Sequence, residues 1–199
     1  MLRETDMIIF VCGTSSSGKT SVCQALKQKL PDAWLLFSTE GYLGMLGDKF
    51  NNLHPANFEV EVPNEVAYAK KHDDGSFEIV VGSLVQSLFA TIPDAIGLLA
   101  RRGFDIVADS LITKKSEVDH FRMALDRFDC KFIYLSTSEK EISRREENRG
   151  DRLKGSAVHW LRAFDFQNDC DLIVDTEKIG ANQIAAAIIK CLNLLDKKL

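Results

Sequence analysis

The feature that most constrains this chain is a junction near its start. The six-residue apolar run Met7–Cys12 leads without a break into Gly13-Thr14-Ser15-Ser16-Ser17-Gly18-Lys19-Thr20-Ser21. A continuous apolar strand suits the centre of a parallel sheet, buried on both faces. The segment that follows fits GxxxxGK(S/T), the loop that holds nucleotide phosphates. Its glycines let the backbone curl until successive N–H groups face one centre. The helix after it adds its positive N-terminal end, so the loop is an anion cradle. In that arrangement Lys19 reaches the β- and γ-phosphates and the Thr20 hydroxyl ligates Mg²⁺. The plainer alternative, a Gly/Ser turn carrying a surface lysine, leaves the strand before it and the helix after it unexplained.

The rest of the chain alternates in the same sense. Extended runs are expected at Trp34–Phe37, Phe104–Ala108, Lys131–Leu135 and Asp171–Val174. Helical patterns are expected at Lys19–Leu30, stopped by Pro31, and at Leu84–Arg102, Lys115–Phe128, Glu139–Asn148, Leu153–Phe166 and Ala181–Leu195. This order predicts one α/β domain over residues 1–199, a five-stranded parallel sheet flanked by helices. Residues 50–81 break the alternation. There Phe58–Val62 and Phe77–Val81 read as extended, with a turn-rich His72-Asp73-Asp74-Gly75-Ser76 between them, which predicts a small hairpin insertion.

Composition narrows the function. With 25 Lys+Arg against 29 Asp+Glu, the net charge of −4 argues against a chain that grips nucleic acid or an anionic membrane. The five cysteines show no ligand spacing and read as reduced thiols, so a soluble, cytoplasmic protein is expected. No secretory signal and no membrane span are expected, because no stretch approaches the ~18 apolar residues that a span needs. The oligomeric state stays open.

Guanine-specific NKxD and LSGGQ-type signatures are absent, which favours a small-molecule kinase among the users of such loops. Asp109 ends the Phe104–Asp109 run, where an open sheet presents side chains to its ligand crevice. It could organise Mg²⁺ or contact the acceptor, or it could cap a helix. Glu40 follows the second strand and suits a base that takes the acceptor hydroxyl's proton, or a carboxylate in the first turn of a helix beginning near Thr39. Six of the basic residues lie between Lys140 and Lys154. Arg145, Arg149 and Arg152 there could form a lid, residues 138–153, that covers the ATP phosphates; the alternative is a solvated helix in which Glu146 and Glu147 pair with them.

With these residues in hand, the chain resembles the chloramphenicol phosphotransferase-like proteins. The matching passages are Gly13 to Ser21, the Pro31-to-Phe37 segment, Asp74-Gly75, Arg102-Gly103, Arg149-Gly150-Asp151-Arg152, and Asp171 with Val174-Asp175-Thr176. The resemblance adds the P-loop nucleoside-monophosphate-kinase type to the expected fold and implies ATP- and Mg²⁺-dependent transfer of a phosphoryl group to a hydroxyl of a small organic molecule. It places Lys19 and Thr20 on phosphate and metal, Arg145, Arg149 and Arg152 in the lid, and Glu40 where the family has an Asp base. Two departures stand out. Glu40 is one methylene longer than that Asp, which leaves Asp109 or Asp48 as other bases. Asp165-Phe166-Gln167 replaces the family's His-x-Gly. Residues 38–69 contain no arginine and a single lysine, Lys49, which favours an uncharged acceptor over an anionic one. A nucleotide or shikimate-type metabolite kinase, and a non-catalytic ATP-binding protein, remain as alternatives.

Overall fold

Strand β1 (Met7–Cys12) is buried along its whole length in the computed structural model, which describes residues 6–31, 33–47, 50 and 53–194. Met7, Ile9 and Val11 enter one apolar cluster, while Ile8, Phe10 and Cys12 enter another on the opposite face. Both faces of β1 are therefore core, which is why its sequence is apolar throughout rather than alternating. Each fully buried large side chain contributes about 1.5–3 kcal/mol, which for this strand outweighs the ~1–2 kcal/mol per residue that ordering its backbone costs.

In chain order there follow α1 (Lys19–Lys29), β2 (Leu35–Ser38), α2 (Thr39–Leu43), β3 (Ala67–Lys71) and β4 (Phe77–Val81). Next come α3 (Ser83–Ala90), α4 (Ile92–Ala100), β5 (Ile106–Asp109), α5 (Lys115–Ala124) and β6 (Asp129–Ser136). The chain closes with α6 (Glu139–Arg149), α7 (Ser156–Ala163), β7 (Leu172–Asp175) and α8 (Ala181–Cys191). Five strands form one parallel sheet in the order β2-β5-β1-β6-β7. The expected sheet flanked by helices is present. One layer packs α1 and α8 on it through Val22, Leu26, Ile184 and Ile188; Trp34 is buried in the same cluster. The other packs α4 and α5 through Ile96, Ala100, Val118 and Phe121, with Phe166 beside them.

Several expectations need correction. The hairpin exists, but its first strand is β3, paired antiparallel with β4 from Ala67↔Val81 to Lys71↔Phe77, and not Phe58–Val62. A hairpin strand must abut its turn, and only residues 67–71 abut His72–Ser76. Phe58 instead meets Phe77 edge-on, with ring centroids 5.0 Å apart. The expected single helix Leu84–Arg102 is two helices, α3 and α4, meeting at Thr91. Pro93 has no N–H to continue the ladder, and the Thr91 hydroxyl donates back to the Leu88 carbonyl at 2.7 Å. The 18 residues Ser83–Ala100 are, against expectation, long and apolar enough to cross a membrane by length and composition. Here they are broken in two, and Val85, Ile92, Ile96 and Ala100 are buried in the interior. The helices expected to reach Phe128, Phe166 and Leu195 end earlier, at Ala124, Ala163 and Cys191; Leu195 lies outside the described residues. All five cysteines are free.

Candidate active site

The carboxyl ends of the sheet strands converge on the loop that follows β1. At Gly13 φ is +143°, and a Cβ there would lie 2.8 Å from Ser17 Oγ and 3.1 Å from the Leu135 carbonyl oxygen. Only glycine admits that approach. Ser16 (φ 61°) and Gly18 (φ 99°) complete the left-handed turns that wrap the loop into a cradle, with Gly18 opening α1. Lys19 is 6% exposed and its ammonium donates to the Thr14 carbonyl at 2.9 Å, folded over the loop it follows. Burial pushes this ammonium below the usual lysine range, against the opposing pull of Asp109 and Glu40.

The hydroxyls of Ser16 and Ser17 are buried without a hydrogen-bond partner among the described residues. Two unmet hydroxyls inside a nest of backbone amides fit an anionic group with several acceptor oxygens, as a nucleotide phosphate has. Ser15 is half-buried and Ser21 exposed on α1. Thr14 does something else: its hydroxyl donates to the carbonyl of Ala157 in α7, tying the loop to the far side of the cleft.

Asp109 ends β5 and is 7% exposed. The helix-capping alternative does not hold, because the next helix, α5, starts at Lys115 and its first amides are taken by Asp165 and Glu117. Asp109 instead accepts the Thr20 hydroxyl at 2.6 Å. Its carboxyl is raised by burial, an effect opposed by Lys19 and by the Thr20 hydrogen bond. Thr20 and Asp109 thus set two hard oxygen ligands side by side. Among the described residues no group of three or more His, Cys, Asp or Glu side chains could hold a metal. Two protein oxygens nevertheless suit Mg²⁺, which keeps waters and phosphate oxygens for its remaining positions.

Glu40 lies in the first turn of α2, capped by Ser38 rather than by Glu40 itself: Ser38 Oγ accepts from the Gly41 amide at 3.1 Å. The Glu40 carboxylate pairs with Arg152 at 3.5 Å. Arg152 Nε is buried with no partner among the described residues. Lys19, Thr20, Asp109, Glu40 and Arg152 therefore meet at the mouth of the loop. Asp48 lies outside the described residues.

The other two arginines are placed differently. Arg145 donates to Glu141 (2.8 Å), to the Thr176 carbonyl (2.7 Å) and hydroxyl (3.2 Å), and to the carbonyls of Ser16 and Ser17 (3.4 and 3.3 Å). It rivets α6 to the outside of the phosphate loop and to the end of β7. Arg149 is exposed and pairs with its neighbour Asp151 at 3.1 Å; the structure does not bring it to the loop.

Sequence reasoning missed Glu146. In sequence it reads, with Glu147, as a surface partner for the arginines, yet it is 4% exposed and accepts from Gly155, Ser156 and Ala157. One signal was available: Glu146 stands four residues after Ile142, so the two share the buried stripe of α6. Asp165, at the position of the family's His, accepts the Lys115 amide at 2.6 Å and so anchors the start of α5.

Solved structures share this fold. An APS kinase from Mycobacterium tuberculosis in complex with AMPPNP and APS superposes with a TM-score of 0.65 at 13% identity, over 95% of this chain and 98% of that one. A shikimate kinase from Acinetobacter baumannii in complex with shikimate gives 0.61 at 14% identity, over 98% and 97%. A tunicamycin resistance protein from Deinococcus radiodurans gives 0.61 at 18% identity, over 94% and 95%. No curated protein matches the chain in sequence. The family model for chloramphenicol phosphotransferase-like proteins matches residues 6–193, nearly the whole chain. By that match, which takes in the Gly13–Ser21 loop and the Asp109–Thr20 pair beside it, the chain belongs to the chloramphenicol phosphotransferase-like family.

Proposed function

We propose that this protein is an ATP- and Mg²⁺-dependent O-phosphotransferase that moves the γ-phosphoryl group to a hydroxyl of a small, uncharged organic molecule. Residues 1–199 act as one kinase domain, with 50–81 on the acceptor side and 138–153 as the lid. The observation that carries the reading is the division of labour between two carboxylates. Asp109 is committed to Thr20 at 2.6 Å beside Lys19, whereas Glu40, at the same mouth of the loop, makes no hydrogen bond to that pair and is held by Arg152 at 3.5 Å. This arrangement supports a metal-side role for Asp109 and a proton-accepting role for Glu40.

When bound, Mg²⁺ supplies charge neutralisation to the phosphates, and Thr20 and Asp109 would hold it. The loop amides, Ser16, Ser17 and Lys19 bind the phosphate chain. Glu40 accepts the proton of the acceptor hydroxyl as its oxygen bonds to the γ-phosphorus and the bond to the β-phosphate oxygen breaks. Arg152 exchanges Glu40 for the charge that then develops. The products are the phosphorylated acceptor and ADP. The acceptor side supports an uncharged substrate: residues 38–69 hold Glu40, Glu59, Glu61 and Glu65 but no arginine, so an anionic acceptor would meet no cationic clamp.

The test is a phosphotransfer screen with ATP and Mg²⁺ over hydroxyl-bearing antibiotics and metabolites, read by mass gain. The reading predicts a phosphorylated neutral alcohol, with turnover reduced about 10²–10³-fold by Lys19→Ala through loss of one charge clamp. ADP formation stimulated only by a nucleoside monophosphate would reverse the choice of acceptor. Turnover unchanged in Lys19→Ala would remove the assignment.

A further inference from the structure

The lid arginine is delivered by a short loop, and the two ends of that loop are held by one helix. Helix α6 ends at Gly150, which takes the left-handed conformation (φ 67°). Five residues later the Gly155 amide returns to α6 and donates to Glu146 Oε2. Glu146 Oε1 accepts the Ser156 hydroxyl at 3.1 Å and the Ala157 amide at 3.0 Å. A buried carboxylate thus satisfies the first amides of α7, where the helix's own ladder offers no acceptor and its positive end favours an anion. The Ala157 carbonyl in turn accepts the Thr14 hydroxyl of the phosphate loop. Within the loop, Leu153 is buried and Arg152 projects to Glu40, with its Nε buried and unpartnered among the described residues. An enclosed guanidinium donor without an acceptor is a place for a ligand oxygen.

We propose that Glu146 is the positioning residue of the nucleotide lid: by gathering Gly155, Ser156 and Ala157 it fixes where Arg152 is presented to the phosphates and, through Ala157, where Thr14 holds the phosphate loop. The proposal rests on the kinase reading above for the role of Arg152. Its chemistry explains why a carboxylate stands there. Glutamine keeps one acceptor oxygen for Ser156 and Ala157, but turns an amide NH₂ toward the Gly155 N–H, donor against donor. In Glu146→Gln, then, the Gly155 end of the loop is released while the start of α7 stays capped.

The loop offers its own reporter, because Arg149, Arg152 and Lys154 are trypsin sites. Glu146→Gln should unfold as cooperatively as the wild type in a side-by-side melt, yet be nicked between residues 149 and 155 at least about tenfold faster, the fold-change of one lost hydrogen bond to a charged group. Binding of AMPPNP with Mg²⁺, read by calorimetry, should weaken at least about tenfold in Glu146→Gln and in Arg152→Ala. The double variant should bind no more weakly than the worse single one, since both remove the same contact. Unchanged nicking overturns the proposal, as do losses that multiply in the double variant, which is what a merely structural carboxylate gives. Should Glu146→Gln fail to fold, Ser156→Ala removes one of the three donors and must show both changes at smaller size; if neither moves, the proposal fails. If Lys19→Ala binds AMPPNP as tightly as the wild type, the kinase reading fails, while the nicking comparison still decides whether Glu146 holds the loop.

Discussion

Thr20 and Asp109 are 89 residues apart in sequence, and the Thr20 hydroxyl donates to Asp109 Oδ2 at 2.6 Å. The contact exists because β5 lies parallel to β1 with Val11 opposite Asp109, so that the end of one strand faces the first turn of the helix that follows the other. Sheet register, rather than local sequence, brings a metal-type oxygen pair to the phosphate loop.

Asp109 is where binding and stability should conflict. Burial raises its carboxyl above the ordinary 3.8, so the folded protein holds this proton more tightly than the unfolded chain does. The sign follows: stability falls as pH rises from 3.8 through the raised value, and the cost persists above it. Asp109→Asn carries no charge to bury and still accepts from Thr20. Thermal melts should show the variant more stable than the wild type at neutral pH and no different below that window, while phosphotransfer drops about 10²-fold or more. Equal melting temperatures at neutral pH would contradict the argument.

Glu40 and Arg152 should matter for rate and hardly at all for folding. Their 3.5 Å pair is partly exposed, with about half of the Glu40 side chain open to solvent, and such pairs contribute about 0–1 kcal/mol. Glu40→Gln should lower kcat about 10²–10⁴-fold at an unchanged KM for ATP, as removal of a general base does, and should leave the melting temperature within a few degrees of the wild type. If KM for ATP rises instead, Glu40 serves the nucleotide and not the acceptor.

Much of this was legible in the residues. The continuous burial of β1 and the left-handed glycines of the loop follow from a strand run and a spacing that are local, and local patterns survive folding. The place of Asp109 at the carboxyl end of β5, beside the loop after β1, follows from the strand run that it closes. The arginines were less legible. All three sit in one charged run, and only the packing of α6 decides that Arg145 turns back onto Ser16, Ser17 and Thr176 and that Arg149 faces solvent, while the path of the chain after Gly150 carries Arg152 to Glu40. Glu146 was hidden for the same reason: its partners lie nine to eleven residues on, across a turn, and a glutamate among arginines reads as their partner. The hairpin is hard to place from sequence because Phe58–Val62 alternates strictly while β3 does not, and only adjacency to the turn favours β3.

Arg145 and Glu141 make a measurable pair. The Arg144 and Arg145 guanidiniums that donate to Glu141 hold its carboxyl at about 2, against the ordinary 4.5. A depressed carboxylate stabilises the fold fully above 4.5, and that contribution is lost as pH falls through about 2. A carboxyl-resolved NMR titration of Arg145→Ala should show the Glu141 midpoint moving up toward 4.5. The same variant frees the Ser16, Ser17 and Thr176 carbonyls, so AMPPNP should bind more weakly; affinity equal to the wild type would mean the rivet does not shape the loop.

Gly82, between β4 and α3, should tolerate replacement poorly. Its φ of −78° suits any amino acid, so conformation is not what selects glycine there. Space is: a Cβ would lie 2.2 Å from the Asn64 carbonyl oxygen and 2.4 Å from that of Val66, and both are backbone atoms that cannot rotate away. The approach is fixed by the Gly82 amide donating to the Val66 carbonyl at 2.9 Å and the Leu84 amide to that of Glu65 at 2.8 Å. These bonds seat the end of β4 and the start of α3 over the small cluster of Val66, Ala67 and Val85, against which Leu43 of α2 also packs. Gly82→Ala should therefore cost about 1–3 kcal/mol in urea unfolding, the range for overpacking. Helix α2 carries Glu40, so on the proposed function the displacement should also raise KM for the acceptor, while KM for ATP, which that reading assigns to Lys19 and Thr20 at the start of α1, stays put. A rise in both would mean that the insertion and the phosphate loop are coupled more tightly than through Glu40 and Arg152 alone.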